Sequence, residues 1–320
     1  MRNVLLLVLV SLGSSLCFGA EDYPGRPVRV VAPSGPGSTT DFTARLISQQ
    51  LSEQLGKPFI VDNRAGAGGI IGNDIVAKSA PDGYTLLIAT PSFTVLSAMT
   101  KVLPYNAGKD FTAVSHMVRF TNALVVIPSL NVNTLKEFIA LAQANPGKYN
   151  YGSSGYGSAT HIWAELFKKA AKVDLVHIQF KGGGATVAAM LGGQVQMILT
   201  TIPTFLVHVK SGKLRALAVT TDGKRSPSLP DVPSTGEAGL PGMSVYGWQG
   251  IVGPAGIPKA IVNKLHREVV RALAVPAVSK PFIEQAGEVV GGSPDEFSRY
   301  LRDELRRWVE VVRSAGITPQ

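Results

Sequence analysis

The sequence predicts an α/β protein of two domains, with largely parallel strands and helices on both faces of the sheets. Short apolar runs alternate with segments of helical period between residues 28 and 220, as repeated βα units do. Glycine-rich turns stand where four of these strands would pass into helices. The chain is 320 residues long, more than one hydrophobic core usually serves, so two domains are expected.

The chain opens with Met1-Arg2-Asn3, an apolar run over 4–12 and small residues around Cys17-Phe18-Gly19-Ala20, the three-part layout of a secretory signal peptide. That run falls short of the roughly 20 residues that cross a bilayer, so residues 1–20 are expected to be a cleaved leader rather than an anchor. Cys17 is the only cysteine and would leave with the leader, so the exported chain would hold together without disulfides. Strands then fall at 28–32, 59–62, 85–90, 123–127, 149–153, 175–180, 195–200 and 214–220, with helical stretches between most of them. Over 41–55, for example, Ala44, Ile47, Leu51 and Leu55 share one face.

A Pro- and Gly-rich stretch, 227–242, leads to a strand-like run at 246–252 closed by Gly253-Pro254. It reads as a return crossing, matched by an outward one near 121–125. The first domain would thus comprise residues 21–121 and 246–320, the second residues 122–245, and the two crossings would form a hinge. Two long helical patterns finish the chain, 258–286 and 294–315. Ser293 as N-cap, Pro294 at the first position and Glu296 give the second a sharp start, and Phe297, Leu301, Leu305, Trp308 and Val312 mark its buried stripe.

The glycine-rich turns, at 33–41, 63–72, 151–161 and 180–186, are the functional clue. Each follows a strand and opens a helix, where unpaired N–H groups and the positive end of the helix dipole hold an anion without a basic side chain. Charge-assisted bonds contribute about 1.5–3 kcal/mol each, so several aimed from two domains at one carboxylate would reach micromolar affinity after ordering and desolvation losses. The formal charge of +9 is scattered, and its densest group, in 299–313, is interleaved with Asp303, Glu304 and Glu310. Such a field gathers small anions; it is not the basic stripe of a nucleic-acid binder.

Enzyme motifs are missing. Residues 151–158 do not make Gly-x-Ser-x-Gly, no Gly-x4-Gly-Lys-Ser/Thr occurs, and Gly66-x-Gly68 with Gly72 lies one residue outside the dinucleotide fingerprint. The five histidines show no metal-ligand spacing, so neither metal nor cofactor is expected. Three residues keep two readings each. His161 either faces a ligand or fixes the 153–158 turn, Arg64 either meets a carboxylate or pins its loop, and Asp41 either starts a helix or takes a ligand amine.

Specific motifs carry a resemblance to a known family. They begin with Tyr23-Pro24, Pro27-Val28-Arg29-Val30-Val31-Ala32-Pro33, the 36–41 turn, Ala44-Arg45-Leu46, Leu55-Gly56-Lys57-Pro58 and Val61-Asp62-Asn63-Arg64 with Gly66-Ala67-Gly68-Gly69. They continue through Ala80-Pro81-Asp82-Gly83-Tyr84-Thr85-Leu86, Lys109-Asp110-Phe111, Tyr151-Gly152-Ser153, His161, Glu165-Leu166-Phe167, Lys181-Gly182 and Gly192-Gly193-Gln194-Val195. Together they resemble the Bug receptors, the extracytoplasmic solute-binding proteins of tripartite tricarboxylate transporters, over nearly all of the mature chain.

The resemblance implies a two-lobed, type II periplasmic-binding fold. It also implies a monomeric periplasmic receptor that takes a small carboxylate through main-chain amides and ordered water and passes it to a membrane permease. The binding residues it implies are Gly37, Ser38, Thr39, Thr40, Ala67, Gly68, Gly69, Ser92, Ser153, Ser154, Gly155, Ser158, His161, Lys181, Gly182, Gly183, Thr200 and Thr201. Three departures bear on the ligand. Ser38 stands where many relatives have glycine, Gln179-Phe180 replaces a Pro-Tyr pair, and Thr200-Thr201 occupies a place where many carry an aspartate. Without that acid a ligand ammonium would lack its counter-charge, which favours a carboxylate that is not an amino acid. Tyr156, Phe93 and Phe180 either stack on a ring-bearing ligand or serve as core residues or lid edges, with packing the expected role of Phe180. The alternatives are a secreted hydrolase or transferase, or a ligand-sensing receptor on the same scaffold.

Overall fold

A computed structural model describes residues 23–221 and 223–319, so the expected leader lies outside the described residues. The chain runs β1 (Val28–Ala32), α1 (Thr39–Leu55), β2 (Phe59–Asn63), α2 (Ile70–Ala77), β3 (Thr85–Ala89), α3 (Pro91–Met99), β4 (Phe111–Val126), α4 (Leu135–Gln143), β5 (Asn150–Ser153), α5 (Ala159–Ala171), β6 (Val176–Gln179), α6 (Gly183–Leu191), β7 (Met197–Thr201), α7 (Leu206–Lys210), β8 (Arg215–Val219), β9 (Tyr246–Pro254), α8 (Lys259–Ala274), α9 (Pro276–Glu284), β10 (Gly287–Gly292) and α10 (Pro294–Ala315).

One long strand organises everything. The strands lie in the order β2-β1-β3-β9-β4-β7-β5-β6, with β10 and β8 also paired to β4. Along β4, residues 111–121 pair with β9 and residues 116–120 with β10, whereas residues 122–126 pair with β7 and β8. The two lobes are therefore halves of a continuous sheet that share β4. Parallel pairing, expected to predominate, is confined to β2-β1-β3 and β7-β5-β6. The centre is antiparallel, because β9 and β4 run opposite ways between the halves.

Each half buries both faces. In β1, Val28 and Val30 pack with Ala44, Ile47 and Leu51 of α1 and Leu265 of α8, while Val31 faces Phe93, Trp248 and Phe297. Hydrophobic residues on both sides of a strand are what a helix-covered parallel sheet requires. In the other half, Tyr151, Trp163, Phe167 and Leu199 form one cluster, and Ala123, Val125, Met190 and Ile198 another.

The C-terminal region departs from expectation in two places. The helical pattern over 258–286 is broken by Val275-Pro276 into α8 and α9, since the residue before a proline is pushed out of the helical region. The segment after it forms β10, a half-exposed strand against β4.

Helix α10 matches the reading of the sequence, and its capping box forms: Ser293 Oγ accepts from Glu296 N–H, and Glu296 reaches back to Ser293 N–H. Ser293→Ala is expected to destabilise the protein by about 1 kcal/mol in urea titrations. The buried stripe of α10 serves two cores. Phe297 and Leu301 pack with Phe93 and Trp248, whereas Trp308 and Val312 pack with Trp163 and Phe167.

Candidate functional site

The ends of β1, β2, β3, β5, β6 and β7 deliver their following turns to one cleft, where open α/β sheets bind ligands. The cavity there measures about 110 Å3, room for several waters. Its walls are the first residues of α1 (Thr39, Thr40), α5 (Ala159, Thr160) and α6 (Gly183), with Gly68 and Gly69 before α2 and Ser92 on α3. The two crossing strands form its floor through Phe120 of β4 and Gly247, Trp248 and Gln249 of β9. Lys181 is the only charged residue among the described residues that line it, and no Asp or Glu is among them.

Helix geometry decides which amides stay available. The first N–H groups of α1, α5 and α6 have no acceptor within their own helices. Some are taken up by side chains. Ser38 Oγ caps α1 by accepting from Asp41 N–H at 3.1 Å, and Ala159 N–H donates to Ser92 Oγ at 3.0 Å, a bond between elements 67 residues apart. Gly37 N–H donates to Asp41 Oδ2 at 3.0 Å, and Ser154 N–H to Thr160 Oγ1 at 2.9 Å. Among the described residues, the N–H groups of Thr39 and Thr40 of α1 and of Gly183 of α6 show no such bond, and all three residues line the cavity.

Of the residues expected at the site, Ser38, Thr39, Thr40, Gly68, Gly69, Ser92, Ser154, Lys181, Gly182, Gly183, Thr200 and Thr201 line the cavity. Six others lie outside its lining. Gly37 is held by Asp41, Ala67 begins a short 3-10 turn, and Gly155 backs onto Gly68. Ser153 Oγ sits 2.6 Å from His177 Nε2, and Ser158 Oγ donates to Gly155 O at 2.6 Å. His161 stacks on His177 with ring centroids 4.2 Å apart, and its Nδ1 accepts from Gly157 N–H at 3.3 Å. Its place beneath the turn matches the loop-fixing alternative. Burial, then the His177 ring, push its pKa down to about 4, so it is neutral near pH 7.

Arg64 pairs with Asp62 at 2.9 Å. Asp41 is held by Arg45, Gly37 N–H and Asn63; burial pushes its carboxyl up, and these partners outweigh it to bring the pKa below the usual value. Asp41 is enclosed by these partners, whereas Arg64 is half exposed and is held through its Nε. Phe93 is in the core, stacked on Tyr105, and Tyr156 hydroxyl donates to Thr318 O. The aromatic wall is instead Phe120, Trp163 and Trp248, which the sequence reading missed. The crossings at 121–125 and 246–252 were the available signal, since segments that pass between lobes must floor the gap. Among the described residues no three His, Cys, Asp or Glu side chains gather as around a metal ion.

The family model described as "Tripartite tricarboxylate transporter family receptor" matches residues 43–317. This chain belongs to that family. The receptor is 36% identical to protein BugT of Bordetella pertussis over 316 residues, 98% of this chain and 96% of that one. Its fold is similar to that of R. palustris Rpa4515 with adipate, with TM-score 0.90, 35% identity, and 93% of this chain and 100% of that one covered. It is also similar to MatC (Rpa3494) from Rhodopseudomonas palustris with bound malate, with TM-score 0.87, 32% identity, and 91% and 100% covered.

The receptor's two lobes touch across the cleft. Thr39 Oγ1 lies 2.9 Å from both Thr201 Oγ1 and Thr204 Oγ1, which are 3.1 Å from each other. Beside them Gly68 meets the 155–158 turn so closely that a Cβ would fall 2.8 Å from Tyr156 O. Thr201 thus bridges α1 to the turn after β7.

Proposed function

We propose that this receptor captures a small organic carboxylate without an ammonium group, between a lobe of residues 21–121 with 246–320 and a lobe of residues 122–245. It does so in the periplasm, after removal of the leader, and presents the closed form to a membrane permease. The observation that carries this reading is the composition of the cavity wall. Helix N-termini α1, α5 and α6 converge there with Lys181, and the described lining contains no acid. Such walls stabilise a carboxylate through unpaired N–H groups and helix dipoles, while an ammonium buried there would be unpaired. Adipate and malate in the structures of two relatives support a carboxylate as the cargo. The position of Thr201 within a hydroxyl cluster supports the exclusion of amino acids.

Calorimetric titration against mono-, di- and tricarboxylates, aromatic acids and amino acids tests this. One non-amino carboxylate is expected to bind at one equivalent per chain, to raise the melting temperature and to be recovered unchanged. Tight binding of glutamate or aspartate with none of the non-amino acids, or conversion of the ligand, would refute it.

A further inference from the structure

Three hydroxyls at the cleft close on one another. Thr39 Oγ1 of the first lobe stands 2.9 Å from both Thr201 Oγ1 and Thr204 Oγ1 of the second, which stand 3.1 Å apart. A hydroxyl has one proton to give and room to accept two. Around a triangle each gives once and accepts once, so the ring consumes all three protons. An ionised carboxylate only accepts, and a ring completed in this way offers it nothing. What the two bonds from Thr39 do is join the lobes.

Close to the ring the main chains themselves touch. A Cβ on Gly35 would fall 3.1 Å from Lys181 O, and one on Gly182 would fall 3.4 Å from Gly35 N. Backbone packed against backbone does not yield, so the lobes approach no further. The ring sets the opposite limit, because a hydrogen bond stretched by more than about half an ångström is lost. The gap therefore has one width when the ring is made. At that width the cavity measures about 110 Å3. It has the room of roughly eight waters at about 10–15 Å3 each, or of an acid with about as many non-hydrogen atoms.

Resting on the reading of the cleft as a carboxylate site, we infer that Thr39, Thr201 and Thr204 gauge the length of the cargo. An acid short enough to lie inside the closed cavity lets the ring form and gains its hold. A longer one keeps α1 away from the turn after β7 and forgoes it. The helix N-termini take the charge, and the hydroxyls measure what is attached to it.

The test is titration and stopped-flow kinetics of the intact receptor with unbranched saturated mono- and dicarboxylic acids of three to ten carbons. Affinity is expected to climb with chain length as more apolar surface is buried, then to drop at least about tenfold over two further carbons. Thr39→Val keeps the side chain's shape and the main-chain N–H and removes the hydroxyl. It is expected to weaken the acids before the drop about five- to tenfold, through faster release at an unchanged capture rate. Acids just beyond the drop should stay within about twofold of their original affinity, so the drop shrinks. Thr39→Ser, which restores a hydroxyl, should restore it. No drop in the parent receptor, a drop that Thr39→Val leaves intact, or an equal loss at every length overturns the inference while the carboxylate reading stands. If no acid in the panel binds, the carboxylate reading fails and this inference with it.

Discussion

Gly68→Ala is expected to weaken carboxylate binding by about 10- to 100-fold while the protein still folds. Gly68 has φ +67°, and an added Cβ would sit 2.8 Å from Tyr156 O and 3.4 Å from Ser158 N, both on the opposing lobe. The left-handed backbone would strain an alanine whether the lobes are open or closed. The clash with Tyr156 arises only where the lobes meet, so it opposes the ligand-holding state alone. Gly56→Ala separates the two effects. Gly56 caps α1 at φ +65°, and nothing lies within 4 Å of its would-be Cβ. The two variants should show similar stability losses in urea, with the binding loss confined to Gly68→Ala. Equal affinity in both would mean that this approach of the lobes does not accompany ligand capture.

Acid should destabilise the receptor well before its carboxylates titrate. Burial, then the Arg119 guanidinium, lower the pKa of His116 to about 4, and burial with His177 does the same for His161. His177 and His266 are shifted the same way, chiefly by burial. An unfolded chain takes up these protons near pH 6.5 while the folded rings stay neutral, so their contribution is complete above pH 6.5 and lost as pH falls toward 4. For His116 and His161 the loss by pH 5 is about 2 kcal/mol each. Asp41 and Asp62 carry lowered pKa values and act only below this window. Urea midpoints measured from pH 7 to pH 5 should therefore fall steadily, and His116→Leu should flatten part of the slope. A midpoint independent of pH over that range would contradict the burial of these rings.

Much of the fold was legible because its cues are local. The apolar runs became β1, β2, β3, β5, β6 and β7 within a residue or two at most ends, and Ser293 with Glu296 marked the start of α10. Strand direction at the centre was not legible, since nothing within 246–254 states which neighbour it will pair with. Strand β10 escaped for a similar reason: its Gly-rich, half-exposed segment is held by partners on β4 more than 160 positions away. At the site, the amide-bearing turns could be read from glycine spacing. Trp248 and Gln249 were signalled only by the return crossing, Phe120 stands one residue before the outward one, and nothing local marks Trp163 of α5 as facing the cleft. Thr204 was missed because its role depends on a hydroxyl arriving from α1.

The double allegiance of α10 has a consequence for how the chain matures. Trp308 and Val312 finish the same core that contains Tyr151, Phe167 and Leu199, so the middle of the polypeptide cannot complete its interior until nearly the last residues are present. A chain growing from its amino end would therefore carry that core open until its synthesis is almost over.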